Sequence, residues 1–353
     1  MKKNTVKKLL SLALAAVLAL SLFACGKKAD SDTKTDSNSA GTTTYKVGIC
    51  NYVDDASLNQ IVSNIESRLK AIGQEKGVTF DVTYDNCNAD SAVLNQIIAN
   101  FMADKVDLMI GVATPVAVAM QTATEGTDIP VVFAAVSDPV SAGLVESLEA
   151  PGANITGTSD ALDTSNVFNL IEALNPDVTK IGLLYDASQD SSTKAIEEAE
   201  GRLNELGIEY EAKTGTTTDD LALAAQALCD DGVQVVFTPT DNTVQVAEPS
   251  IYTIFEEAGV QHFGGADSFA LVGAFCGYGV DYANLGTETA KMAVNILENA
   301  QNPAEVPVQF FDNGKASSNT DVCAALGLDY DEVSKTLAPL CTEVEGLATG
   351  AEF

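Results

Sequence analysis

From Tyr45 onward, short apolar runs alternate with longer segments whose apolar residues recur at helical spacing, and the whole pattern is played twice. Strands separated by helices pair in parallel, because a parallel neighbour can be reached only by a crossover of a dozen or more residues. Tyr45 to Cys50 reads as a first strand. Leu58, Ile61, Ile65, Leu69 and Ile72 then mark one face of a helix, with Asp55 or Ser57 placed to cap it. Strands are expected at 79–83, 108–112, 130–135 and 155–158, with helices over 92–103 and 116–124. Near Ser159 the pattern restarts. Helices are expected over 167–174, 192–206, 221–228, 251–258 and 285–297, and strands at 180–185, 209–213, 233–238, 261–264 and 270–278. Residues 306–311 read as extended and 321–326 as a helical turn or two. Ligands of open parallel sheets sit beyond the carboxyl ends of the strands, where helix N-termini present unpaired N–H groups. Two such halves facing each other would share one cleft.

The segment before this pattern is of another kind. Lys2, Lys3, Lys7 and Lys8 precede an apolar run from Leu9 to Phe23, too short for a permanent span of about 20 residues and shaped like a secretory signal. Leu22-Phe23-Ala24-Cys25 resembles the bacterial lipobox, with Phe23 where a small residue is usual. That resemblance implies a signal over 1–24 and acylation of Cys25. Residues 25–44 lack large apolar side chains beyond the cysteine and read as a flexible linker. No other segment approaches a membrane span. The roughly 310 residues that follow suit two lobes.

The formal net charge is −31, and it becomes more negative once the signal's lysines are removed. Such a surface repels nucleic acid and anionic headgroups, so neither is an expected partner. Six further cysteines, Cys50, Cys87, Cys229, Cys276, Cys323 and Cys341, include no CxxC pair. His262 is the only histidine, so no zinc set can be written. Buried thiols or disulfides are both open, and the sequence does not pair them.

Several stretches together resemble a known family, the ABC substrate-binding proteins whose relatives bind tryptophan or phenylalanine. They are Ala113-Thr114-Pro115, Val132 to Val140, Asn154 to Asp160, Pro176 to Tyr185, Pro239 to Val244, Tyr278 to Tyr282 and Ala324 to Leu328. The resemblance spans about Tyr45 to Leu328. It implies a type I periplasmic-binding-protein fold: two doubly wound parallel-sheet lobes joined by a three-crossover hinge and closing on a small solute. Lobe 1 would comprise 45–158 plus about 282–308, and lobe 2 would comprise 159–281 plus about 309–345. The implied partners are the solute and an ABC permease with its ATPase. The implied location is the outer face of the cytoplasmic membrane, reached through the lipid anchor alone. No cofactor is expected.

Candidate ligand-binding residues follow from their places at strand ends. Thr114 follows a strand and precedes Pro115, as a helix cap or as a carboxylate ligand. Ser137 and Asp138, before Pro139, repeat that arrangement. Thr240, Asp241 and Asn242 open a helix in the second half, where Asp241 could meet an ammonium and Asn242 could donate and accept. Asp160 and Asp267 follow other strands, where acids in a closing cleft select a cationic amine. Tyr185, ending a strand, could stack on an aromatic ligand or pack on the sheet. These residues make a free amino acid the expected solute, and the resemblance implies that it is aromatic. The absence of tryptophan tilts away from sugars, while purine nucleosides, short peptides and branched amino acids stay open. The rival readings are a sensor on the same fold and a lipid-anchored hydrolase. Against the hydrolase, no Gly-x-Ser-x-Gly elbow is present and His262 sits in an apolar run.

Overall fold

The computed structural model describes residues 43–311 and 314–350; the signal segment and Cys25 lie outside them. The first lobe is built from β1 (Thr44–Asn51), α1 (Ala56–Lys76), β2 (Thr79–Asn86), α2 (Ser91–Asp104), β3 (Leu108–Val112), α3 (Thr114–Thr124), β4 (Val131–Ala134) and β5 (Ile155–Thr158). Its strands pair in parallel in the order β2-β1-β3-β4-β5. Successive side chains of a strand point to opposite faces. Accordingly Leu108, Ile110 and Val112 enter one core with α1, while Met109 joins the core over α2 and α3. With both faces covered, β3 and β4 have no exposed position, which is why they read as unbroken apolar runs.

The second lobe continues with α4 (Thr164–Leu174), β6 (Lys180–Tyr185), α5 (Asp190–Leu206), β7 (Glu209–Thr214), α6 (Thr218–Asp230), β8 (Val235–Thr238), α7 (Asn242–Ala258), β9 (Gln261–Gly264), α8 (Asp267–Leu271) and β10 (Cys276–Gly279). The chain then returns to the first lobe as α9 (Tyr282–Asn299), which lies along α1. It crosses back to finish as β11 (Lys315–Asn319), α10 (Thr320–Ala325), α11 (Tyr330–Leu337) and β12 (Glu343–Leu347). The second sheet runs β12-β11-β10-β9-β8-β6-β7, parallel throughout except where β10 meets β11.

Three crossovers therefore join the lobes: after β5, after β10 and after Gln309. The first and third are tied together. Ser159 N–H donates to the Gln309 carbonyl at 2.9 Å, Gln309 N–H donates to the Gly157 carbonyl at 3.0 Å, and Thr158 and Gln309 form a parallel bridge.

The structure differs from the sequence reading in four places. The expected strand at 270–278 is the end of α8 followed by β10, divided at Gly273, whose φ of 121° suits glycine. Helix α7 begins at Asn242, nine residues earlier than expected, and carries Pro249 inside it. Residues 306–311 contribute only the bridge at Gln309, next to a short turn at Pro303–Glu305. Finally, β11, α11 and β12 were not anticipated. β11 is the polar run KASSN, although four of its five residues are buried, and β12 has only exposed and half-buried positions at the sheet edge. Neither shows the apolar run that marks a central strand.

Candidate functional site

Strand ends and helix starts from both lobes meet in one interlobe cavity. The first lobe brings Asp55 and Ser57 at the start of α1, Ala113 and Thr114 at the start of α3, Ser137 after β4 and Asp160 after β5. The second lobe brings Ser191 on α5, Thr240 to Asn242 and Gln245 around the start of α7, and Ser268 and Phe269 on α8. Tyr282, opening α9, closes the hinge side. Two corners of the first lobe hold non-glycine residues at positive φ: Ala113 at 77° before α3 and Ala135 at 55° after β4. Such conformations are costly and concentrate at ligand sites.

The chemistry of this wall is one-sided. Among the described residues, ten buried side-chain polar atoms have no hydrogen-bond partner, and five of them line this cavity: Thr114 Oγ1, Ser191 Oγ, Thr240 Oγ1, Gln245 Oε1 and Ser268 Oγ. Buried polar groups are normally paired, so the concentration marks where a solute is to be met. Three carboxyls, Asp55, Asp160 and Asp241, join them, and no Lys, Arg or His is among the lining residues. Burial pushes the Asp160 carboxyl up to about 6, against hydrogen bonds from Ser137 Oγ at 3.0 Å and Tyr282 Oη at 3.4 Å. Enclosure likewise pushes half-buried Asp55 up to about 7, although Ser57 N–H and Leu58 N–H donate to it.

The structure gives the other candidate residues different places. Thr114 is the first residue of α3 rather than its cap; Ala113 precedes the helix, and the threonine hydroxyl is left free of protein partners inside the cavity. Asp241 lines the cavity, but its oxygens are taken. They accept from Thr243 N–H and Val244 N–H at 3.0 Å, from Asp186 N–H at 2.8 Å and from Ser192 Oγ at 2.6 Å. Asn242 donates to Gln189 Oε1 at 3.3 Å. Asp267 stands just behind the wall as a bridge between lobes, accepting from Ser57 Oγ at 2.9 Å and pairing with Lys315 Nζ at 3.6 Å; burial raises it to about 6. Asp138 lies outside the cavity, accepts from Ser141 and pairs with Lys194 across the cleft at 3.5 Å. Tyr185 is away from the cavity, half-buried against the second lobe's core. Sequence reasoning missed Ser191, Gln245, Ser268, Phe269 and Tyr282, and it gave Asp55 and Ser57 only a capping role. Helix starts immediately after strands were the signal that could have found most of them.

The inner cavity is narrow, about 30 Å³, space for a few water-sized centres at most. It adjoins a wider hollow of about 530 Å³ between Tyr52, Val53 and Ala89 on one lobe and Gln189, Asn242 and Val246 on the other. His262, the one histidine, is sealed away from both. Its Nδ1 lies 2.9 Å from Glu248 Oε1 and its Nε2 lies 2.9 Å from Thr238 Oγ1, with all three residues buried. This line of groups has no access for a substrate.

Two doubly wound lobes, a hinge of three crossovers and a polar cleft between them are the architecture of a solute-binding protein. The chain belongs to the family of ABC transporter substrate binding proteins, whose model matches residues 46–339. A relative named tyrosine-binding protein, from Clostridioides difficile strain R20291, is 29% identical over 324 residues, covering 91% of this chain and 93% of its own. A crystal structure from Streptococcus pneumonia, described as an ABC domain in complex with L-Trp, is 29% identical. It covers 86% of this chain and 100% of its own with a TM-score of 0.78. A ligand-free, open substrate-binding protein from Clostridium difficile, with 29% identity, 86% coverage of this chain and 99% of its own, superposes with a TM-score of 0.66. Membership makes the chain an extracytoplasmic receptor that works with an ABC permease.

Proposed function

We propose that the receptor captures a free amino acid with an aromatic side chain. The observation that carries this reading is a cavity lined by buried acids and partnerless hydroxyls without a basic side chain. A zwitterion needs acceptors at its ammonium and donors at its carboxylate. Asp160 and Asp55 suit the ammonium; Thr114 Oγ1 and the N–H groups at the start of α3 suit the carboxylate. The side chain would extend past Asn242 into the wider hollow, whose Tyr52, Val53 and Val246 offer apolar surface. The relatives with tyrosine and L-Trp in their descriptions support the same class.

Calorimetry on the purified protein tests this, using phenylalanine, tyrosine and tryptophan beside their decarboxylated amines and deaminated acids. Loss of either charge is expected to weaken binding at least thirtyfold, because a buried partner left unpaired costs about 2–5 kcal/mol. An amine or acid that binds as tightly as its parent overturns the reading. So does a nucleoside or sugar that binds while all three amino acids fail.

The same proposal holds the receptor at the membrane through acylated Cys25. No helix among the described residues is long and apolar enough to cross a membrane. Cys25→Ala is expected to move the exported protein into the soluble fraction, and retention equal to wild type would remove the anchor.

A further inference from the structure

Two buried thiols take no part in the cleft, and the fold places them together. Cys50 lies on β1 opposite Asp85 of β2. Side chains two residues apart along a strand share a face, so Cys87, directly after β2, comes to the face that Cys50 occupies. Both are fully buried within one core cluster. Each thiol perturbs the other, Cys50 being held up and Cys87 down by its neighbour, while Cys50 Sγ donates to the Asn51 carbonyl at 3.6 Å and Cys87 Sγ to the Tyr52 carbonyl at 3.3 Å. Among the other four described cysteines no thiol–thiol hydrogen bond is found, and burial, with Cys341 and Cys323 close by, holds the Cys276 thiol up. Cys229 Sγ faces the Ile254 carbonyl, and Cys276 has Ser318 Oγ at 3.9 Å.

We propose that Cys50 and Cys87 are joined as a disulfide while the chain folds outside the cytoplasm, where oxidising conditions permit it. The oxidant is a low-molecular-weight or protein disulfide. One of the two thiols, as its thiolate, attacks one of its sulfurs and displaces a first thiolate; the other, giving up its proton, attacks the protein sulfur of the mixed disulfide and displaces the second. Two protein thiols are oxidised, and the oxidant leaves as two thiols carrying the two electrons and two protons. Since neither sulfur is exposed in the folded chain, the exchange precedes the closing of α2 over the sheet.

The link has a structural purpose at the cleft. Cys87 is followed by Asn88 and Ala89, which hold positive φ of 50° and 57° and line the wider hollow. Ala89 N–H donates to the Tyr52 carbonyl at 2.8 Å, on the loop that leads to Asp55; the Cys87 thiol shares that carbonyl at 3.3 Å and gives up this bond when the disulfide forms. A covalent tie between β1 and the end of β2 pins this rim from below.

The test is a peptide map of the exported protein and of protein refolded in oxidised glutathione, denatured and alkylated without reduction. The expected result is one linked peptide pair containing Cys50 and Cys87, with Cys229, Cys276, Cys323 and Cys341 alkylated. Reduction of wild type should lower its melting temperature by roughly 5 °C, while Cys50→Ser should show no response to reductant. Alkylation of both Cys50 and Cys87 after oxidation, or linkage of either to another cysteine, overturns the proposal. The wild-type map decides even if the variant fails to fold.

Discussion

Asp160 is a buried carboxyl whose partners are two hydroxyls and no cation. With Asp55, it has a folded-state value raised above the ordinary carboxylate range, so the folded protein holds protons that the unfolded chain has already released. Stability from these groups is therefore greatest at low pH and falls as pH rises from about 4 through about 7. An arriving ammonium reverses the preference by stabilising the charged forms, which must expel their protons. Calorimetry at pH 6 in buffers of different ionisation enthalpy is expected to show proton release on binding. Affinity should weaken by up to tenfold per pH unit for each displaced proton below pH 6. Binding without proton exchange, or affinity that is flat between pH 5 and 7.5, would count against an ammonium at Asp160. The places of these acids were only partly legible beforehand. A strand-end acid announces itself in sequence, and Asp160 did. Whether its oxygens are free depends on neighbours far along the chain: Asp241 looked equal to Asp160 until Ser192 and the Asp186 amide were seen to occupy it. Tyr185 was a plausible stacking ring by position, and the structure packs it, half-buried, against the second lobe's core away from the cavity.

Helices α1 and α8 face each other across the cleft and touch through Ser57 Oγ and Asp267 Oδ1. That bond spans the cleft without a solute atom, as the Asp138–Lys194 pair does, and Lys315 backs it by pairing with Asp267 and, at 2.8 Å, with Glu345. Ser57→Ala removes the donor while leaving the Asp55 cap of α1 in place, since capping uses the backbone N–H of residue 57. The variant is expected to populate the open form more, with a larger ligand-free radius in small-angle scattering and an affinity about threefold to tenfold lower, because one hydrogen bond to a buried charge favours closure. Saturating solute should restore the compact radius in both proteins; an identical ligand-free radius would show that the contact does not bias closure. Among the elements, α1 was plain in sequence because its apolar residues recur on one face below Asp55. α8 was hidden. Its five residues are too few to show a period, and their apolar character merged with β10 until Gly273 divided them.

At the level of the whole molecule, the doubled βα pattern determined both sheets and hence the cleft, because parallel strands leave their helix starts on one edge. The final return of the chain to the second lobe was not legible, since β11 and β12 earn their place by pairing with neighbours rather than by their own composition. That return nevertheless matters mechanically. Two bodies joined by one strand of chain can bend, slide and swivel; three crossovers side by side, two of them laced together by Ser159, Gly157 and Gln309, suppress torsion and leave bending as the soft coordinate. The spacing between any patch on one lobe and any patch on the other then becomes a function of a single angle. A permease that grips both lobes is presented with one degree of freedom, and the opening angle alone can tell it what the cleft holds.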